Sequence, residues 1–304
     1  MIDVKKLINN LQNELESTKK DLKQTEALER LKQVTKLYNG EDKVISFKEI
    51  YDRIKSNPVV EKIWTGWVEL DKILNGIRKK HLIIWAGQTK HGKSTFAMDL
   101  TCHLKDYNVL WLPIEESGEE LMEKFIERGE EPPIGFAPEN IGFVDTDWVE
   151  KKILEGIVKY DSQIVIVDNL SWVRSVEGNK FNGKADNIEQ TCMELKAIAK
   201  KWDIPIVLIA HTNKEAKADM NPTFENLKGS SAISQIGDKT IFIWRETKRG
   251  KNGELEITDN VNISVQLNRQ CKVGNVKMVY RAGHFYEEEW TGEANETLRN
   301  YEKF

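Results

Sequence analysis

Between residues 82 and 100 the chain passes through an apolar stretch, Leu82-Ile83-Ile84-Trp85-Ala86, and then Gly87-Gln88-Thr89-Lys90-His91-Gly92-Lys93-Ser94. A helical pattern beginning Thr95-Phe96-Ala97-Met98 follows. Few sequence features restrict a fold more. The glycines let the backbone curl so that successive amides face one point, and a helix amino end adds partial positive charge there. Such a cradle suits phosphate oxygens, and it works only between a strand and a helix. The pattern predicts that Gly87, Gln88, Thr89, Lys90, His91, Gly92, Lys93, Ser94 and Thr95 bind ATP or GTP. Lys93 would reach the β- and γ-phosphates, and the Ser94 hydroxyl would ligate Mg2+.

Short β-branched runs alternate with helical patterns as far as Trp244, at His81–Ala86, Asn108–Ile114, Gln163–Asp168, Ile204–Ala210 and Thr240–Trp244. Several are apolar on both faces, as strands covered by helices on two sides must be. The fold class they predict is α/β, with a central, mainly parallel sheet and crossover helices. Beyond Gly253, Val261–Leu267 and Val276–Tyr280 flank Gly274-Asn275, which predicts an antiparallel hairpin turning there. Ile164-Val165-Ile166-Val167-Asp168 sets a carboxylate at the carboxyl edge of the sheet, where Asp168 can hold Mg2+ through water. Hydrolysis also needs a group that orients or deprotonates the attacking water. Glu115, just past a strand expected to neighbour the phosphate-loop strand, is the candidate. Glu116 reads instead as an amino-terminal charge of the helix Ser117–Arg128.

The first forty residues differ in kind. Val4, Ile8, Leu11, Leu15 and Leu22 recur at a spacing near 3.5, with Thr18 in the missing seat. One or two amphipathic helices follow from this, as a hairpin docking on another surface or as a short coiled coil. Ser46-Phe47-Lys48-Glu49 has the spacing of a capping box and starts a helix that ends before Pro58. The predicted organisation is a helical region over 1–43, a linker helix over 44–60, the α/β domain over 61–286 and an acidic tail over 287–304. Cys102, Cys192 and Cys271 are too few and too scattered for a disulfide framework. No apolar run approaches the ~18 residues of a membrane span, and residues 1–6 have no signal-peptide pattern. Cytoplasmic residence without a membrane partner is the expectation. No Cys/His cluster has zinc spacing. The net charge of −4 gives no bulk attraction for nucleic acid, yet residues 282–304 hold six acids against two bases and account for all of it. The remainder is neutral.

Further motifs resemble a known family. Thr65-Gly66-Trp67-Val68-Glu69-Leu70-Asp71 is similar to the T-G-[FW]-x-x-L-D opening of DnaB-type replicative helicases. Asp168-Asn169-Leu170, Asn187–Trp202 and Pro205–His211 follow that family's order. Asn226-Leu227-Lys228-Gly229-Ser230-Ser231-Ala232-Ile233 resembles its D-L-[RK]-[GE]-S-[GS]-A-I loop, nearest the phage and mitochondrial (Twinkle-like) branch. The resemblance runs from about Ser46 to Phe285. It implies a RecA-like P-loop NTPase core that assembles as a ring, usually a hexamer, with ATP and Mg2+ between subunits and single-stranded DNA or RNA through the centre. Carried over by position, Glu115 activates water, His211 senses the γ-phosphate, and Arg269 is the arginine finger offered to a neighbouring subunit. Many members have a lysine where Leu267 stands. Arg245, a second finger candidate, reads rather as a salt-bridge residue.

The segments expected to face the strand are Ser171–Ala185 and Asn213–Ser231. They hold Lys228, Gly229, Ser230 and Ser231, with Arg174, Lys180 and Lys184 as further contacts. Apart from Phe181 no aromatic array is read there, which predicts tracking of the phosphate backbone rather than base stacking. The helix Ser46–Asn57 resembles the linker helix that packs on the adjacent subunit. Primase, loader or other replisome proteins are the implied partners, in a bacterial or phage-infected cell. Two other readings stay open on the same core: a RecA/RadA-like recombinase or mediator, and a non-motor ATP-dependent assembly factor.

Overall fold

The computed structural model describes residues 4–17, 22–38, 44–56, 61–129, 131, 133–176, 184–212, 222–226, 233, 235–250 and 254–288. The strands are β1 (Lys62–Ile63), β2 (Ile77–Arg78), β3 (Leu82–Gly87), β4 (Val109–Pro113), β5 (Gly135–Phe136), β6 (Ile164–Asp168) and β7 (Ile206–His211). The last four are β8 (Lys239–Arg249), β9 (Leu255–Asn268), β10 (Gly274–Arg281) and β11 (His284–Glu287). β1 and β2 form a small antiparallel pair. The others make one sheet in the order β11-β10-β9-β8-β3-β7-β6-β4-β5. From β8 to β5 neighbours run parallel, whereas β8 to β11 are joined antiparallel.

β3 shows why the sheet needs cover on two sides. Alternate side chains of a strand point to opposite faces, and all six residues of β3 are buried. Leu82, Ile84 and Ala86 pack with Val149 and Ile153 of α7 (Thr146–Tyr160) and with Leu195 and Ala199 of α8 (Lys184–Lys201). Ile83 and Trp85 pack on the other face with α4 (Val68–Leu74), α5 (Lys93–His103) and α6 (Gly118–Glu127).

The predicted amino-terminal helices are α1 (Val4–Ser17) and α2 (Leu22–Tyr38). Their stripe does not serve a free coiled coil. Val4, Ile8, Leu11, Leu31 and Val34 join the core that α7 closes. At the seam Arg30 Nε donates to Val158 O at 3.2 Å, and Lys159 pairs with Glu14 at 2.7 Å. α3 (Phe47–Ser56) begins with the predicted box: Ser46 N donates to Glu49 Oε2 at 2.7 Å and Glu49 N to Ser46 Oγ at 3.2 Å. It buries none of its residues, and Phe47 is 91% exposed. Among the described residues no helix is long and apolar enough to cross a membrane.

Three local expectations are corrected. β4 does not neighbour β3; β7 and β6 lie between them. The β9–β10 turn is not at Gly274-Asn275, which pair with Val265 and Ser264 inside the ladder. The chain turns before them, where Asn268 Oδ1 accepts from Gln270 N and Asn268 Nδ2 donates to Ile73 O. β8 and β9 also extend beyond the apolar runs, as far as the Arg249–Leu255 pair. On its β8 side, Arg245–Arg249, the arm is polar throughout, so hydrophobic patterning carries no signal for that strand, while Leu255 and Ile257 on β9 are exposed.

Because the hairpin shares the main core, shortening its buried stripe should weaken the whole domain. Ile8→Ala is expected to cost about 2–5 kcal/mol, read as a lower midpoint in a single urea transition.

Candidate functional site

Parallel strands bring their carboxyl ends to one edge, and the register aligns Gly87 of β3 with His211 of β7 and Pro113 of β4 with Asp168 of β6. The sequence-predicted phosphate loop, Asp168, Glu115 and His211 therefore converge although they come from different strands. Within the loop Lys90 and Gly92 take left-handed φ values of 69° and 87°, which turns successive amides inward. Gly92 starts α5 without a side-chain cap, so the first amides of an eleven-residue helix are left for an anion. Gly87 leaves no room for a larger residue, since a Cβ there would lie 2.4 Å from Ile243 O.

Lys93 is buried, and its ammonium donates to Gln88 O at 2.8 Å. Burial lowers its pKa to about 8, against the opposing pull of Asp168 and Glu115. Asp168 is also buried, with its pKa raised to about 6 by that burial, while a hydrogen bond from Ser94 and the charge of Lys93 pull it down. Ser94 and Asp168 thus meet directly. Beside them Asn169 is fully buried. Its Nδ2 donates to Glu115 Oε2 and lies 3.0 Å from His211 Nε2, while His211 and Glu115 stand 3.9 Å apart. Asn169 joins the two predicted side chains, and the sequence gives no reason to single it out beyond its place after Asp168. Glu116 pairs with Lys124. α6 draws its cap from Ser117 and its box from Glu120.

Two predicted loop residues have additional duties. His91 accepts Arg245 N–H on Nδ1 at 3.1 Å, which fastens the loop to β8. Burial, then the charges of Lys93 and Arg245, lower its pKa to about 4. Thr95 O accepts from Arg128 Nη1 at 3.1 Å. The guanidinium of Arg128 also meets Asp99 at 2.7 Å, and Asp99 in turn holds Phe285 N at 2.7 Å. Arg245 pairs with Asp259 at 3.2 Å and lies 4.4 Å over the Tyr280 ring, in keeping with its salt-bridge reading.

The Thr65–Asp71 motif supports this site from behind. Asp71 accepts from Thr65 N at 3.0 Å and Gly66 N at 3.1 Å, and burial raises its pKa to about 6. Trp67 stacks on Phe96 at 4.1 Å and donates to Phe285 O at 3.0 Å. Glu287, expected to open the tail, accepts from Glu69 N and Leu70 N at 2.8 and 3.0 Å. β11 arrives there through Ala282 and Gly283, both with positive φ, a two-residue turn the apolar patterning did not reveal.

Arg269 stands elsewhere. Lys239 at the start of β8 pairs with Asn268 at the end of β9, so Arg269 lies at the amino-terminal edge of the β3 side, away from the loop. There its Nε donates to Gly237 O at 2.9 Å and its Nη2 to Gln235 O. Leu267 pairs with Thr240. Arg174 lies 5.0 Å over the Phe143 ring, and its backbone bonds Val144 and Thr146. Trp172, which the aromatic reading of this segment passed over, is 57% exposed. Lys184 opens α8. Lys180, Phe181, Lys228, Gly229, Ser230 and Ser231 lie outside the described residues.

With this geometry in place, comparison with known proteins decides the family. The DnaB-like helicase C terminal domain matches residues 62–133 and 143–287. The chain belongs to that family. The replicative DNA helicase DnaB of Pasteurella multocida (strain Pm70) is 26% identical over 275 residues, covering 79% of this chain and 58% of the relative. That of Rickettsia prowazekii (strain Madrid E) is 25% identical over 291 residues, covering 77% and 60%. The chain thus spans under two thirds of the length of these curated relatives. The ATPase domain of G40P superposes with a TM-score of 0.69 at 18% identity, over 81% of this chain and all of that one. A DnaB-like replicative helicase, described with its interactions with primase, gives 0.67 at 17% identity, over 87% of this chain and 76% of that one. The fold is that of the DnaB-like ATPase domains, a RecA-like core.

Gly87→Ala should displace β8 and cost about 1–3 kcal/mol, measured by urea unfolding. For His91 the folded pKa lies below the ordinary 6.5. Its contribution is present above about pH 6.5 and is lost as pH falls toward 4. His91→Gln retains an acceptor and does not titrate. The melting temperature of the wild type should therefore fall relative to His91→Gln between about pH 7 and pH 5.

Proposed function

We propose that this chain is the motor of an ATP-dependent, ring-forming replicative DNA helicase, translocating on single-stranded DNA and hydrolysing ATP at subunit interfaces. One observation carries the reading: Lys93, Ser94, Asp168, Glu115 and His211 meet at one sheet edge of a DnaB-like domain, while Arg269 stands at the other. In this reading Lys93, buried and donating to the Gln88 carbonyl, turns from Gln88 to the β- and γ-phosphates. Glu115 orients the attacking water and takes its proton. His211 lies beside the γ-phosphate. Arg269 of one subunit stabilises charge developing on the phosphate held by the next.

The donor set fits magnesium, because the Ser94 hydroxyl and the Asp168 carboxylate are hard oxygens already in contact. Ser94 and Asp168 would hold the ion, which when bound neutralises phosphate charge. A ring, hexameric as the family resemblance implies, is supported by α3, whose exposed Phe47, Tyr51 and Ile54 suit packing on a second copy. The strand would be met by Arg174, Lys180, Lys184, Lys228, Gly229, Ser230 and Ser231. Exposed Trp172 adds a stacking surface to what backbone contacts supply. A primase is the first partner to try, since the relative of known structure is described with one; loaders come next. Action in the cytoplasm of a bacterial or phage-infected cell belongs to the same proposal.

ATP turnover should rise with single-stranded DNA, and a forked duplex should be unwound. Lys93→Ala should abolish both. Absence of DNA stimulation together with absence of unwinding would rule the helicase out. Arg269→Ala and Glu115→Gln should each lower turnover by about 10^3-fold or more. Mixing the two variants should restore part of it, because some interfaces then combine an intact Glu115 with an intact Arg269. No recovery on mixing would place Arg269 outside the reaction.

A further inference from the structure

We infer that Asn169 is a positioning residue that restrains Glu115 and ties it to the 170–176 segment, so that strand contact at that segment releases the glutamate. This rests on the proposed role of Glu115 in activating water. The side chain of Asn169 is fully buried and used in three directions. Nδ2 donates to Glu115 Oε2 and approaches His211 Nε2 at 3.0 Å, while Oδ1 accepts from Ser171 N at 2.9 Å. The amide orientation follows from its neighbours. Reversed, it would point oxygen at a carboxylate and an NH2 at a backbone N–H, two repulsive contacts. His211 Nε2 is then the acceptor of the Asn169 amide.

Glu115 itself is weakly held. Its side chain is 51% exposed, and the amide of Asn169 is the hydrogen-bond partner that the described residues give its carboxylate. An oxygen already accepting an amide proton is less available to take one from water, and it is drawn toward the sheet rather than outward. The other end of the device is the segment after β6. A single 3-10 turn at Leu170–Trp172 is capped by Asn169 Oδ1. Three residues on, Ser175 Oγ donates to Glu194 at 2.5 Å and Val176 N donates to Glu194 at 3.2 Å. Thr146 Oγ1 bonds the same carboxylate. Between these anchors Trp172 is 57% exposed. The Glu194 end is fastened to two helices, and Arg174 bonds Val144 and Thr146. Toward β6 the turn is held by two bonds to Asn169, Trp172 N to its backbone O at 3.2 Å and Ser171 N to its side-chain Oδ1. A load on Trp172 reaches the Asn169 amide through the second. Loss of that bond frees the amide to rotate, and Glu115 with it.

Asn169→Ser tests this. Serine keeps an oxygen for Ser171 N–H but is too short to span to both Glu115 and His211. Steady-state ATP hydrolysis is measured with and without oligo-dT, in full-length protein whose melting temperature is checked. The expected result is a rise in strand-free turnover of about tenfold, equal to ~1.4 kcal/mol of barrier. The KM for ATP should be little changed, and the stimulation ratio should fall toward one. Asn169→Ala, a second variant, is expected to behave alike. A structural defect would lower turnover and would not raise it. Wild-type values of both turnover and ratio would overturn the inference. So would an equal fall with and without DNA, which would instead make Asn169 a support for productive geometry. Wild-type protein without stimulation by oligo-dT would overturn the proposed function itself.

Discussion

The phosphate loop has little freedom of its own, and the rest of the molecule is arranged around holding it. Gly87 leaves β3 with its backbone pressed on Ile243 of β8 and bonded through its carbonyl to Thr212 N at 3.1 Å. His91 is fixed by Arg245 N–H, and the Phe285 ring lies where a Cβ on Gly92 would meet it at 3.0 Å. Neighbouring strands on either side and β11 from above thus constrain a loop that has no hydrophobic content to hold it. Preorganised amides cost little reordering when an anion arrives, which is where such a loop gains its affinity.

The buried charges follow the same logic. Lys93 and Asp168 are drawn from their ordinary pKa values in opposite directions by burial, and each is partly compensated by the other. A pair kept this dry stays sensitive to any further charge. Asp99, by contrast, is buried with a full set of partners, Arg128, His284 and Phe285 N. It fixes α5 to the β10–β11 hairpin. One buried carboxylate is left available to be changed by a ligand, and the other is saturated so that it will not change.

Much of this was legible from residues. The loop, the strand ending in Asp168 and the capping box at Ser46 each obey a local rule of spacing, so they stand where the pattern put them. What was not legible depends on strand order and on polar surfaces. β4 is separated from β3 by two strands, and only topology reveals that Glu115 reaches the site across β6 through Asn169. The β8 side of the arm, Arg245–Arg249, is polar throughout, and β11 is four residues long, so neither leaves a periodic trace. Trp172 closely follows an apolar strand, and nothing in the sequence marks it as exposed, yet it is 57% exposed.

The position of Arg269 limits what a single copy can do. β3 runs six residues from the edge near Arg269 to the phosphate loop, a span of roughly 20 Å at about 3.3 Å per residue. The ladder of β8 with β9 lies along this path, with Ile241, Phe242 and Ile243 buried in it. No rotation of one side chain crosses that distance, and moving the turn would unzip the central pairing on which Gly87 and His91 depend. Any part that Arg269 takes at a phosphate is therefore at the phosphate of another chain. α3 likewise has a capped start and an apolar side that the described residues leave uncovered. On the proposed reading, an isolated copy carries the phosphate loop and the acid edge together and offers Arg269 and α3 to a neighbouring copy.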